Sequence, residues 1–103
     1  AELDDKTVAS LAKVLRSRFI NPGEVIMERD ATVRSVYFIA SGAVELQSAG
    51  QTRRLGRGDM FGYLAILQRV SARIEAMAIA PTTLLVLDEQ RFRDLLKRKE
   101  TVR

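Results

Sequence analysis

Hydrophobic positions keep a helical rhythm, then a strand rhythm, then a helical one again along this chain. Across residues 4–15, Val8, Leu11, Val14 and Leu15 recur at helical spacing. Asp4 and Asp5 precede them and supply the cap and negative charge that a helix start favours, so the spacing predicts an amphipathic helix over 4–15. Ser17 to Ile20 reads as extended, and Pro22-Gly23 as a chain reversal. From Glu24 to Leu87 the period shortens toward two. Val25 and Met27 alternate with Glu24, Ile26 and Glu28, while Val44 and Leu46 alternate with Glu45 and Gln47. Between them, Val36-Tyr37-Phe38-Ile39-Ala40 is a β-rich run that stops at Ser41-Gly42. Ser48-Ala49-Gly50 is a hairpin tip, and Gln51 to Leu55 a polar strand. Arg53 and Arg54 are adjacent in it, so at least one faces solvent. Ile74 to Ile79 and Thr83 to Leu87 are two more strands, parted by Ala80-Pro81-Thr82. The last rhythm is helical again. Phe92, Leu95 and Leu96 fall at i, i+3 and i+4 within 89–99, with Asp88 placed as the cap.

Helix, many short strands, helix: that order predicts a mainly β sandwich or barrel flanked by helices. At 103 residues the chain has room for one domain spanning 1–103, with a helix at 4–15, strands over 17–87 and a helix at 89–99. Hydrophobic residues make up 47% of it, which is ample for one packed core. Without cysteine, disulfides and thiolate chemistry are excluded, and without histidine the commonest general base and metal ligand is missing. Neither a catalytic site nor a metal site is expected, and no cofactor. The net charge of +4 comes from 17 Lys+Arg against 13 Asp+Glu, scattered except for a denser group from Arg91 to Arg103. A solvated face with cations near a helix C-terminus accounts for it, so no nucleic-acid partner is expected. No apolar run approaches the ~18–20 residues of a membrane span, and the acidic start does not resemble a signal peptide.

One stretch departs from plain patterning. Leu55-Gly56-Arg57-Gly58-Asp59-Met60-Phe61-Gly62 leads through a Gly-x-Gly-Asp turn into the short apolar segment Tyr63-Leu64-Ala65-Ile66-Leu67. Glycine here lets the backbone approach a ligand closely, and a helix start offers unpaired N–H groups to an anion. Upstream stand Asn21-Pro22-Gly23-Glu24-Val25-Ile26 and Val36 to Leu46; downstream stand Leu84-Leu85-Val86-Leu87-Asp88 and Phe92-Arg93-Asp94-Leu95-Leu96. In this order and spacing, over roughly residues 11–98, the chain resembles the cyclic nucleotide-binding domain family.

That resemblance implies a β-roll, a jelly-roll-like barrel with an N-terminal helix, a short cassette helix and a C-terminal helix. It also implies a phosphate cassette from Phe61 to about Ala76, in which Gly62, Tyr63, Leu64, Ala65, Ala72, Arg73 and Ile74 are the ligand-binding positions. The amides of Leu64 and Ala65 would serve the cyclic phosphate, an arginine would pair with it, and Val44, Leu55 and Met60 would wall the base. Departures from the family pattern concentrate in the same segment. Tyr63 stands where a glutamate would hold the ribose 2′-OH, and a phenol lacks the carboxylate's charge and paired acceptors. Counting back from the downstream strand, the phosphate arginine is Arg73; counting forward from Phe61, its place falls on Ala72, as though the cassette were one residue longer. Arg69 is a rival within the loop. Ile74 replaces a small hydroxyl residue, and Glu75 follows, which would repel a phosphate unless it points away. Asp30 and Val33 occupy places where glycine is common.

Two functions are expected from this. The first is a sensor for cAMP or cGMP that controls an attached effector, with the helix carrying Phe92, Leu95 and Leu96 as the moving element. The strand end Phe38-Ile39-Ala40-Ser41-Gly42 is similar to regulatory domains of bacterial cation channels and cation/proton antiporters. The expectation is therefore a cytoplasmic domain covalently linked to an inner-membrane protein, itself not inserted in the membrane, with any oligomer formed through its host. The second function is a degenerate domain that binds no cyclic nucleotide and acts in protein interaction or assembly, in keeping with Tyr63. The chain begins at a helix and stops just after one, as an excised domain would, leaving no room for a helix-turn-helix.

Overall fold

A computed structural model of the chain describes residues 13–101, with side chains through Lys97. The helix expected over 4–15 falls largely outside these; Lys13 and Val14 are helical. Eight strands follow: β1 (Arg16–Ile20), β2 (Val25–Met27), β3 (Ser35–Ser41), β4 (Ala43–Ser48), β5 (Gln51–Gly56), β6 (Met60–Phe61), β7 (Glu75–Ala78) and β8 (Thr82–Asp88). A short helix, α1 (Tyr63–Gln68), lies between β6 and β7, and α2 (Glu89–Thr101) follows β8. The strands form two antiparallel sheets of order β1-β8-β3-β6 and β2-β7-β4-β5. This is the β-roll, mainly β with flanking helices.

Alternation puts one apolar set from each sheet into a shared core. Ile39 of β3 and Leu84 and Val86 of β8 meet Val44 of β4 and Ala76 and Ala78 of β7, all nearly or fully buried, while Val36 and its ladder partner Leu87 are buried on the other face of their sheet. Alanine at 76 and 78 lets β7 sit close beneath the larger side chains opposite, as interlocking packing requires. The alternation fails at Val25, which is 39% exposed. Val25 pairs with Met77 and Met27 with Ala76, so Ile26 is an extra residue in the ladder. That bulge rotates β2 between its first and last residue, burying Met27 and turning Val25 out.

One polar side chain in the core is fully buried, and it is satisfied. The Thr82 hydroxyl accepts from the Ala43 N–H (3.2 Å) and donates to the Ala80 carbonyl (2.8 Å), with the Ala43 carbonyl also near at 3.1 Å. Gly42 sits against this knot at φ 97; a Cβ there would lie 2.4 Å from the Pro81 carbonyl oxygen. Only glycine permits both that angle and that approach.

The end of the chain differs from expectation in one respect. Asp88 is the last residue of β8, and its carboxylate accepts from Arg16 Nη2 at 2.9 Å. A strand partner in β1, not the following helix, engages the residue the pattern nominated as cap. α2 starts instead by docking: the Glu89 N–H donates to the Arg34 carbonyl (2.8 Å), and Phe92 and Leu95 pack on the core.

Candidate ligand-binding site

The turn that leads into the cassette is pinned from several sides. Asp59 Oδ2 reaches back across the turn to accept from the Gly56 N–H (2.8 Å), and the Asp59 N–H returns to the Gly56 carbonyl (3.0 Å). The Gly58 N–H reaches the Ile39 carbonyl, while the Ile39 N–H reaches the Asp59 carbonyl, each at 2.9 Å. These bonds bind the turn to β3. β6 then pairs with β3, and Phe61 stacks on Tyr37 with ring centroids 5.1 Å apart.

Gly62 is the point where the chain swings from β6 into α1. Its φ is 93, and a Cβ would stand 2.8 Å from the Ser35 carbonyl oxygen. Strand-to-helix geometry therefore demands glycine here whether or not a ligand binds. α1 runs from Tyr63 to Gln68 and packs inward through Ile66. Leu64 and Ala65 lie in its first turn, where N–H groups lack helical acceptors. Arg69 ends the helix in the left-handed conformation, φ 56, its N–H on the Ile66 carbonyl (3.3 Å) and the Val70 N–H on Ala65 (3.1 Å).

The exit of the cassette is fastened to the loop after β2. Ala72, 1% exposed, donates its N–H to the Ala31 carbonyl (2.9 Å), and its own carbonyl accepts from the Asp30 N–H (2.7 Å). Asp30 holds φ 70, a conformation Asp tolerates better than most residues, which is why a turn common with glycine forms without it.

Between these walls lies a cavity of about 470 Å³, within the range of small-ligand pockets. Gly62, Tyr63, Leu64, Ala65, Ala72, Arg73 and Ile74 all line it. Ile74, expected in a strand, precedes β7 and faces this space. Of the three apolar wall positions, Leu55 and Met60 line the cavity, joined by Met27 and Leu46; Val44 is absorbed in the core. Arg69 lies elsewhere. It borders a second cavity of about 350 Å³ together with Glu89 and Arg93. Glu75 does not line the ligand cavity either, since β7 alternates and buries Ala76 and Ala78 on the opposite face.

Arg73 is exposed at the cavity, and none of the ion pairs among the described residues involves it. Two features escaped the sequence pattern. Arg53 lines the cavity from β5. Arg93 of α2 donates through Nη2 to the Ile66 carbonyl of α1 (2.8 Å) and through Nε to Glu89 (2.9 Å), tying the two helices together. The first had a legible signal, since Arg53 shares its strand face with Leu55; the second depends on a long-range contact that no local pattern marks. No group of metal-ligating side chains occurs among the described residues, and none of their helices is long and apolar enough to cross a membrane.

A β-roll with a cavity walled by a glycine-led short helix, and a terminal helix anchored to that short helix, defines a ligand-binding regulatory domain. The model of the family described as "Cyclic nucleotide-binding domain" matches residues 17–99, and the chain belongs to that family. It is 36% identical over 99 residues to a putative potassium channel protein of Rhodopseudomonas palustris, which covers 92% of this chain and 24% of that protein. It is 31% identical over 101 residues to the HTH-type transcriptional regulator Cmr of Mycobacterium tuberculosis, covering 93% of this chain and 41% of the regulator. The chain thus spans less than half of either curated relative. A solved complex of Sp-2Cl-cAMPS with PKAR CBD2 superposes with a TM-score of 0.88 at 22% identity, over 98% of this chain and 70% of that one. This likeness is one of fold.

Proposed function

We propose that the domain senses a cyclic nucleotide, cAMP or cGMP, and passes its binding to an attached effector. The observation that carries this reading is one cavity in which Arg73, in no ion pair among the described residues, faces apolar walls beside the first turn of α1. Arginine and a cyclic phosphate form charge-assisted, paired hydrogen bonds, the strongest polar contact this cavity offers. The amides of Leu64 and Ala65 add donors, and Leu46, Leu55 and Met60 supply an apolar slot for a base. Arg93 supports the transmission step, because any movement of α1 alters the carbonyl that α2 holds. Binding shifts α2 only as far as the ligand prefers one arrangement over the other. The effector, on this reading, is a membrane cation channel, in line with the Rhodopseudomonas relative, or a cation/proton antiporter. The domain then lies on the cytosolic side of the inner membrane, and oligomerises through its host. The second reading, a ligand-free interaction module, draws on Tyr63, which packs half-buried against the core where the family presents a carboxylate.

The test is a thermal-shift scan with cAMP, cGMP and cyclic dinucleotides on the chain and on Arg73→Ala. Ligand at about a hundred times its dissociation constant adds roughly 2.7 kcal/mol, on the order of 10 °C here. A rise of that size, lost in the variant, is expected. A flat response at millimolar ligand would leave the interaction module standing.

A further inference from the structure

The cavity of about 350 Å³ that Arg69 borders lies where α1, the loop after β2 and the start of α2 converge. That volume is at the lower end of small-ligand pockets. Val33, Ile66 and Val70 give it apolar surface. Its charges do not balance. Glu89 accepts from Arg93 Nε at 2.9 Å, which matches one carboxylate to one guanidinium. Arg69 is the remaining ion, and none of the ion pairs or side-chain hydrogen bonds among the described residues involves it.

Further donors border the same space. Arg93 gives Nε to Glu89 and an Nη2 N–H to the Ile66 carbonyl, which leaves three of a guanidinium's five N–H groups. The Thr32 and Ser71 hydroxyls line the cavity as well, and the side-chain hydrogen bonds among the described residues use neither. Arg69 is anchored by its backbone, held left-handed while its N–H meets the Ile66 carbonyl. A non-glycine residue kept in that conformation is the kind of outlier that collects at ligand clamps.

We infer that this cavity is a second binding site, for a small organic monocarboxylate with a compact apolar body. The carboxylate pairs with Arg69 and with the remaining donors of Arg93, and the body rests on Val33, Ile66 and Val70. Two guanidinium groups against one carboxylate leave a lining that suits a single negative charge, and its apolar surface gives a bare inorganic anion no advantage. Binding here does not depend on the nucleotide reading, since Arg73 takes no part in it. The two cavities nonetheless share a wall, because Ala65, Val70 and Ser71 line both. An occupant that bridges Arg69 at the end of α1 to Arg93 on α2 braces the two helices, which couples it to any ligand of the first cavity.

NMR titration of the chain with benzoate, its neutral counterpart benzamide and inorganic phosphate tests this. Benzoate is expected to saturate with a dissociation constant on the order of 1 mM. Its shifts should fall on the amides of residues 32–33, 65–71 and 89–93, and hydrogen exchange should slow in both α1 and α2. Benzamide and phosphate should bind about tenfold more weakly or worse. Arg69→Gln, which removes the charge at an exposed position and so opens no core, should reduce benzoate to the level of benzamide. Equal binding of benzoate and benzamide to wild type would make the cavity an apolar slot and overturn the anion inference. Shifts confined to Leu55, Arg53 and Arg73, or no saturation far above millimolar benzoate, would overturn the site itself. Saturation without slower exchange in α2 would overturn the brace between the helices.

Discussion

Arg69 closes α1 in a conformation that suits glycine, and replacing it with glycine should make the domain more stable. At φ 56 and ψ 43 its Cβ crowds the backbone, a cost of about 1–2 kcal/mol for an L-residue. Glycine removes that crowding but gives the unfolded chain more freedom to lose, about 0.5–1 kcal/mol. The difference leaves a gain of about 0.5–1 kcal/mol. For a domain of this size, 1 kcal/mol moves Tm by roughly 4–8 °C, so Arg69→Gly should raise Tm by about 2–8 °C. Arg69→Ala is the matching control: it deletes the charge but keeps the Cβ, and should leave Tm nearly where it was. Differential scanning calorimetry reads both. Should alanine raise Tm as much as glycine, the gain comes from removing a cation and the strain argument is wrong. The same variant separates two arginines on the cassette. Arg69 borders the second cavity and not the one lined by Arg73, so Arg69→Gly should leave nucleotide affinity within about twofold of wild type.

Two further variants probe the supports of the site. Arg93→Met keeps much of the side chain's length but removes its bonds to the Ile66 carbonyl and to Glu89. It should cost about 1–2 kcal/mol, most of it from the carbonyl, since the partly exposed ion pair counts for little. Hydrogen exchange should speed up in both α1 and α2, and unchanged exchange in α1 would contradict the link. Thr82→Val preserves shape but leaves the Ala43 N–H and Ala80 carbonyl without the hydroxyl they share. Urea denaturation should give a loss of about 1–3 kcal/mol at unchanged m, largely recovered in Thr82→Ser; a valine variant as stable as wild type would show the knot to be dispensable.

The strands were legible because their rhythm and their turns agree. Val44 and Leu46 face inward as their alternation predicts, and Gly42 and Gly62 mark turns that no other residue could make. Errors arose where a distant partner overrides a local pattern. Asp88 looks like a cap until Arg16, 72 residues away, takes its carboxylate. Val25 looks buried until the β2 bulge turns it out, and a bulge leaves no mark in a three-residue strand. In the cassette, counting along the chain cannot place Arg73 and Arg69 at different cavities, since that depends on Arg69 adopting a left-handed backbone and on Ala72 being held by Asp30 and Ala31. Arg53 is hard to place for a different reason. Adjacent charges in a polar strand suggest solvent, yet parity with Leu55 already assigned Arg53 to the inner face.

The strand order carries a kinetic consequence. β7 joins β2 to β4, and β8 joins β1 to β3, so one of the two interior strands of each sheet comes from the last third of the fold. A nascent chain that has exposed everything before Glu75 holds the β4–β5 hairpin and the β3–β6 pairing, with β1 and β2 waiting unpaired. Neither sheet can close until residues 75–88 arrive and insert between strands already made. Such late, non-local closure places folding in the slow range for small domains, milliseconds to seconds. Until then, Phe19 and its neighbours on β1 remain an open edge, and the interval before insertion is when this chain is most exposed to mispairing with another copy of itself.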